Sequence, residues 1–118
     1  MRSSEDSELI KVFDWLTWQS KNNPILNCIF HVANERKCTP AYGARLKRKG
    51  VRSGVPDIVC PIPRGDYHGL WIEMKAKTGR VSEKQKEFMI LLHGQGHKVV
   101  VAWSGDDAIQ LLKDYLRG

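Results

Sequence analysis

The sequence predicts an α/β domain in which a central mixed β-sheet is flanked by α-helices. Segments with apolar residues at helical spacing alternate along the chain with short apolar runs of strand character. This alternation is typical of α/β folds. The chain has 118 residues, the usual size of one domain and enough to bury a core without disulfide bonds or zinc. We therefore expect residues 1–118 to form a single domain.

The first half of the chain predicts a helix, a strand and a second, shorter helix. Apolar residues at helical spacing predict the first helix from residue 5 to about residue 22, where Asn-Asn-Pro ends it; they are Leu9, Val12, Phe13 and Leu16. Residues 25–32 are largely apolar and predict the first strand. Residues 40–49 predict a short helix that Gly50 ends.

The second half of the chain predicts three strands and two helices. Residues 58–60 and 70–75 predict neighbouring strands, and the glycines and proline of residues 63–69 favour a hairpin-like connection between them. The remaining elements are, in order, a helix opened by Ser82, an apolar strand at residues 98–103 and a helix opened by Ser104.

Three charged residues lie in or beside the two strands predicted at residues 58–60 and 70–75. Asp57 opens the first, and Glu73 and Lys75 alternate with apolar residues in the second, so both share one face. Charged groups rarely enter such runs unless they are paired or bind a metal. A solvated edge strand is the alternative explanation for Glu73 and Lys75, but it leaves Asp57 unexplained.

The types of these residues suit metal-dependent phosphodiester cleavage. Two carboxylates hold a hard cation such as Mg²⁺ through oxygen. The cation polarises a phosphate and acidifies a water, and a lysine orients or deprotonates that water. We therefore expect Asp57, Glu73 and Lys75 to be catalytic residues.

The residues of this region resemble the signature of the virus-type replication-repair nuclease family, a branch of the restriction-endonuclease-like nucleases with a PD-(D/E)xK core. The matching residues are Gly54-Val55-Pro56-Asp57, Glu73-Met74-Lys75 and Gln85. The resemblance implies a restriction-endonuclease-like core and a stand-alone nuclease domain. It also implies a DNA endonuclease that cuts branched DNA, such as four-way (Holliday) junctions, as a homodimer in a phage or bacterial host cytoplasm.

The resemblance also extends the expected site. It implies that Glu8, on the first helix, joins Asp57 and Glu73 in holding Mg²⁺ or Mn²⁺, with the backbone carbonyl of Met74 as a further ligand. The helix dipole alone also explains an acid in a first helical turn such as Glu8. Similarly, the resemblance directs Gln85 into the site, whereas its spacing of three from Ser82 is that of a capping box.

Basic residues are concentrated just before the proposed catalytic strands. The net charge is +6, and residues 36–52 contain no acid but seven bases: Arg36, Lys37, Arg45, Lys47, Arg48, Lys49 and Arg52. Phosphate contacts dominate affinity for nucleic acids, so this segment predicts DNA binding beside the metal site. A solvated loop face is the alternative.

Other classes of protein and ligand are disfavoured. No apolar stretch is long enough to cross a bilayer, and no Gly-rich phosphate loop indicates a nucleotide cofactor. Three cysteines without Cys-x-x-Cys spacing indicate reduced thiols rather than zinc ligands. Two further functions stay open: a non-catalytic nucleic-acid-binding module of the same fold, and an accessory protein that binds a partner through its tryptophans, Trp15, Trp18, Trp71 and Trp103.

Overall fold

Helices and short strands alternate along the protein, whose computed structural model describes residues 4–33 and 39–118. In chain order the elements are α1 (Ser4–Gln19), a 3₁₀-helix (Pro24–Cys28), β1 (Phe30–His31), α2 (Pro40–Arg48), β2 (Ile58–Cys60), β3 (Leu70–Met74), α3 (Glu83–Gly94), β4 (Lys98–Ala102) and α4 (Gly105–Arg117). This order confirms the predicted α/β class.

The four strands form one mixed sheet in the order β1-β2-β3-β4. β1 pairs with β2, and β2 with β3, in the antiparallel sense. β4 lies parallel to β3, because α3 returns the chain to the other end of the sheet before β4 begins. The predicted mixed sheet and the predicted hairpin-like connection between β2 and β3 are both confirmed.

The main core fills the face of the sheet that α1 and α4 cover. Alternate residues of β2 and β3 point into it, with Val12 and Leu16 of α1 and Leu112 of α4 packed against them. Tyr115 of α4 donates its buried hydroxyl to the carbonyl of Ile62 over 2.6 Å. This bond ties α4 to the chain just beyond β2.

The opposite face of β3 packs against α3. Trp71 lies beside Phe88 with ring centroids 6.4 Å apart, and Gln85 donates a hydrogen bond to Glu73. Gln85 and Phe88 are three residues apart and therefore lie on the same side of α3. Because side chains alternate between the two faces of β3, Trp71 and Glu73 share the face toward α3. Trp71 packs against Phe88, and Glu73 lies beneath the first turns of α3.

The strand predicted at residues 25–32 is mostly wrong. Residues 24–28 form a 3₁₀-helix, and β1 has only two residues. Pro24 begins this helix, and the buried residues of the region are Leu26 in the helix and Ile29, its extended C-cap. A continuous strand would place these two residues, three positions apart, on opposite faces. The helical turn instead lets both pack into the same core.

Two glycines follow α2 with positive φ angles but very different surroundings. Gly50 has φ +99° and open space where a Cβ would lie, whereas Gly54 has φ +86° and a Cβ position 2.5 Å from the carbonyl oxygen of Lys84. Gly54 thus lets the loop before β2 contact the first turn of α3. This contact brings the segment that carries Asp57 close to Gln85.

Replacement of these glycines separates backbone strain from close contact. We expect Gly50→Ala to lower the free energy of unfolding by about 1–2 kcal/mol through left-handed strain alone. Gly54→Ala carries the same strain and a clash with backbone, so a further loss of about 1–3 kcal/mol is expected. Chemical denaturation of both variants measures the difference, and equal losses would contradict the close packing of Gly54 on α3.

Candidate active site

A cavity of about 410 Å³ opens where the end of β3 meets the loop before β2 and the start of α3. Four residues singled out by the sequence line its wall, namely Asp57, Glu73, Lys75 and Gln85. They come from three separate parts of the chain. The fold therefore brings together all four residues that we expected to be catalytic.

Asp57 is fixed between two strands by its side chain and its backbone. Its Oδ2 accepts a hydrogen bond from the backbone N–H of Met74 over 2.8 Å. Its carbonyl oxygen accepts from the N–H of Val32 over 2.8 Å and lies 2.8 Å from Nδ1 of His31. Asp57 consequently links β1 and β3 at the end of the sheet. The sequence did not indicate this role for His31, which is an exposed residue.

Glu73 is the charged residue of the core, with only 3% of its surface exposed. Its Oε2 accepts a hydrogen bond from Nε2 of Gln85 over 2.9 Å and lies 3.6 Å from Nζ of Lys75. Its Oε1 is buried and has no hydrogen-bond partner among the described residues. An unsatisfied buried oxygen is costly and calls for a ligand.

The pKa of Glu73 is raised to about 7, mainly by burial and next by the nearby Asp57 carboxylate, with Lys75 opposing both effects. Burial disfavours the charged form of a carboxyl group, and a neighbouring negative charge acts in the same direction. A cation between the two carboxylates would reverse both effects. Near neutral pH the metal-free site therefore holds a proton part of the time.

These residues fit a hard divalent cation. The donors are oxygens: the orphaned Oε1 of Glu73, the carboxylate of Asp57 and the carbonyl of Met74. That carbonyl points to the same side as the Met74 N–H, which bonds Asp57, because both groups of a strand residue point the same way. Oxygen donors of this kind suit Mg²⁺ or Mn²⁺.

The protein supplies only part of such a coordination shell. Within residues 4–33 and 39–118, no three His, Cys, Asp or Glu side chains come together as a metal site. Mg²⁺ commonly uses one or two carboxylates and keeps waters or substrate phosphate as its other ligands. The pair formed by Asp57 and Glu73 is consistent with that mode.

The two acids on one side of α1 occupy different positions. Glu8, expected as a ligand, accepts a hydrogen bond from the N–H of Gly105 over 2.7 Å and lines an adjoining cavity of about 250 Å³. Glu5, which the sequence analysis did not select, lines both cavities, and its charge adds to the raised pKa of Glu73. Glu5 precedes Glu8 by three residues and therefore lies on the same side of α1, and this spacing is the signal by which the sequence could have identified it.

Gln85 fulfils both roles that its position in the sequence allowed. Its Oε1 accepts from the N–H of Ser82 over 2.9 Å, and its own N–H donates to Oγ of Ser82 over 3.2 Å, which completes the capping box. Its Nε2 is directed to Glu73. The amide oxygen of Gln85 therefore caps the start of α3, and its amide nitrogen holds the buried carboxylate of Glu73.

The basic segment divides into two groups. Lys47 and Arg52 line the cavity that contains the candidate catalytic residues, and neither makes an ion pair within the part of the chain that the structure describes. The second group lines a separate depression of about 350 Å³ and comprises Arg45, Arg48 and Lys49. Arg36 and Lys37, together with Asn34 and Glu35, lie outside the described residues.

A further groove of about 350 Å³ continues from the catalytic cavity along α3. It shares Lys47 and Arg52 with that cavity and adds Lys84, Glu87, Phe88 and Leu91. Its lining therefore combines an excess of positive charge with apolar side chains. This combination suits a nucleic-acid strand, whose phosphates are negative and whose bases are apolar on their faces.

The fold, together with this arrangement of carboxylates, a lysine and basic side chains around the cavity, defines a nuclease-like α/β domain. The chain belongs to the VRR-NUC domain family, whose family model matches residues 4–105. A solved structure described as a VRR_NUC domain protein is 30% identical, with a TM-score of 0.81 over 99% of this chain and 91% of that chain. No match was found among curated proteins.

No helix within residues 4–33 and 39–118 combines the length and apolar character needed to span a bilayer.

The raised pKa of Glu73 predicts how stability depends on pH without metal. The folded pKa is about 7, above the ordinary value of 4.5, so the stabilising contribution is fully present below the unfolded pKa. It is lost as pH rises through the folded pKa. Relative to Glu73→Gln, we expect the native protein in chelator to lose at most about 3 kcal/mol of unfolding free energy between about pH 5 and pH 8.

Denaturation of both proteins across this pH range measures the effect. Glu83→Gln serves as a control, because the Glu83 side chain is 84% exposed and its loss should leave the pH dependence unchanged. Parallel curves for the native protein and Glu73→Gln would contradict the raised pKa.

Proposed function

We propose that this protein is a divalent-metal-dependent DNA endonuclease that hydrolyses phosphodiester bonds, with a preference for branched DNA such as four-way junctions. The observation that supports this best is the buried carboxylate of Glu73, whose Oε1 lacks a partner among the described residues. Asp57 and Lys75 lie on the same cavity wall. Asp57 and Glu73 together supply part of a coordination shell for a cation, and the amine of Lys75 lies beside it.

In the proposed mechanism, Asp57, Glu73 and the carbonyl of Met74 hold Mg²⁺ or Mn²⁺. A bound ion of this type polarises the scissile phosphate and acidifies a water. The bond between Asp57 and the Met74 N–H fixes the distance between the two ligand strands. Glu5 and Glu8 of α1 lie next to this shell, and either one would reach it through a water.

Lys75 activates the attacking water in this mechanism. Its side chain is only 14% exposed, so its amine is largely shielded from bulk solvent and directed into the cavity. The ion pair with Glu73 holds the amine on the side of the carboxylates. From there the charged amine orients the water and stabilises the charge that develops on the phosphate. After losing its own proton, the neutral amine would accept the proton of the water.

Lys47 and Arg52 bring DNA to this centre. Both are exposed and line the cavity that contains the carboxylates. Contacts of this kind bind phosphates without reading bases, so they position a strand and leave its sequence open. Selectivity then depends on DNA shape, which is consistent with action on branched substrates. We include a homodimer in the proposal, since a twofold dimer suits paired cuts in a symmetric junction.

Cleavage of a labelled four-way junction and of a matched linear duplex tests this proposal. We expect cleavage of the junction with Mg²⁺ or Mn²⁺ and none in chelator. Lys75→Met should slow the reaction roughly 100- to 10,000-fold, because it removes a proton acceptor. Asp57→Asn should slow it by at least roughly 100-fold through loss of a charged ligand.

Asp66→Asn is the matched control for Asp57→Asn. Asp66 is an exposed acid in the β2–β3 connection, at the other end of these strands from Asp57, so its loss should leave cleavage unchanged. Salt-sensitive binding without products in any metal would instead identify a non-catalytic DNA-binding module.

A second pair of variants tests the contact between Gln85 and Glu73. Ser82→Ala and Gln85→Met each remove one bond of the capping box, so each should cost about 1 kcal/mol of stability. Only Gln85→Met also removes the donor to Glu73. We expect it alone to slow single-turnover cleavage, by roughly 10- to 100-fold. Equal rate losses would assign Gln85 a purely structural role.

A further inference from the structure

A second cavity of about 250 Å³ adjoins the catalytic cavity on the side away from the basic groove. The two cavities share Glu5 and Lys75. The second also includes Glu8, Lys77 and Trp103 in its wall. The groove along α3 shares Lys47 and Arg52 with the catalytic cavity but no described lining residue with the second cavity.

Trp103 lies on the wall of this cavity with 46% of its surface exposed. The residue directly follows β4, and its backbone N–H donates to Oδ2 of Asp107 over 2.9 Å. Ser104, the next residue, caps α4 by accepting from the N–H of Asp107 over 3.0 Å. The backbone at Trp103 is therefore held on both sides, and close to half of the residue's surface stays exposed beside the cavity.

The charges around this cavity select the part of a nucleotide that fits. The wall contains two acids, Glu5 and Glu8, which balance Lys75 and Lys77, so the cavity lacks the excess of positive charge that favours a phosphate. A nucleobase is neutral, its N–H groups can donate to carboxylates, and its face stacks on indole. The volume lies just below the range of about 300–1,000 Å³ typical of sites for drug-sized ligands, so a single base is the appropriate size.

We propose that this cavity binds one unpaired nucleobase of the DNA strand being cut, stacked on Trp103 and next to the phosphate at Lys75. Lys77, an exposed residue of the same wall, contacts the adjacent backbone. This inference rests on the proposed endonuclease function and narrows its substrate class. DNA whose nucleotide beside the scissile phosphate is unpaired, as in a flap, or is easily unpaired, as at a branch point or nick, enters this cavity. A base that is stacked and paired in a continuous duplex does not.

Tryptophan fluorescence in chelator tests this without any cleavage. The native protein is titrated with a short oligothymidylate and, separately, with a blunt duplex. We expect the single strand to quench the emission strongly and the duplex to quench it weakly. Trp103→Phe should lose this quenching, since the reporting indole is gone, but should keep most of the affinity because phenylalanine still stacks.

Trp18→Phe is the matched control. Trp18 is also exposed, at 67%, but it lies near the end of α1 and lines neither cavity. This variant should retain the quenching. Trp103→Ala should weaken binding of the oligothymidylate by roughly 5- to 100-fold, the usual effect of removing one stacking platform.

The outcomes separate this inference from the nuclease function. Quenching that persists in Trp103→Phe, or that is equal for single strand and duplex, overturns the stacking site even when the protein cleaves DNA. Quenching that requires Trp103 supports the site even when no substrate is cleaved in any metal. In that case the proposed endonuclease function fails while the nucleobase site stands.

Discussion

The buried carboxylate of Glu73 is the constraint on which the rest of the site depends. A carboxylate that is 3% exposed is stable only if its surroundings replace the water that it has lost. Gln85 and Lys75 do this for one oxygen, and the other has no partner in the described chain. A core selected for stability alone would hold an apolar residue here. The unfavourable burial of this carboxylate therefore indicates a functional position.

The elements around Glu73 are arranged to keep this carboxylate in place. α3 begins with a capping box whose glutamine also reaches the carboxylate. The glycine contact at residue 54 holds the loop before β2 against the same turn. Asp57 then bonds the backbone of β3 one residue beyond Glu73. Local helix formation, loop packing and strand pairing therefore position the same two acids, so a change in any one of them reaches the site.

Charge differs between the groove and the second cavity beside this centre. Lys47 and Arg52 line the groove along α3, whereas the second cavity contains two acids, two lysines and Trp103. A nucleic-acid strand has a similar asymmetry across its width, with phosphates on one side and bases on the other. The groove and the second cavity thus offer surfaces that suit backbone and base respectively, which gives a physical basis for discrimination by DNA structure rather than by sequence.

The sequence by itself determined the elements that depend on local periodicity and capping. Alternation in residues 70–75 placed Glu73 and Lys75 on one face, and spacing identified both possible roles of Gln85. Tertiary structure decided the rest. Packing on one side converted the expected first strand into a 3₁₀-helix, and the direction of α1 put Glu5 beside the carboxylates while Glu8 bonds α4. Such outcomes depend on which distant surfaces meet, and periodicity along one segment carries no information about them.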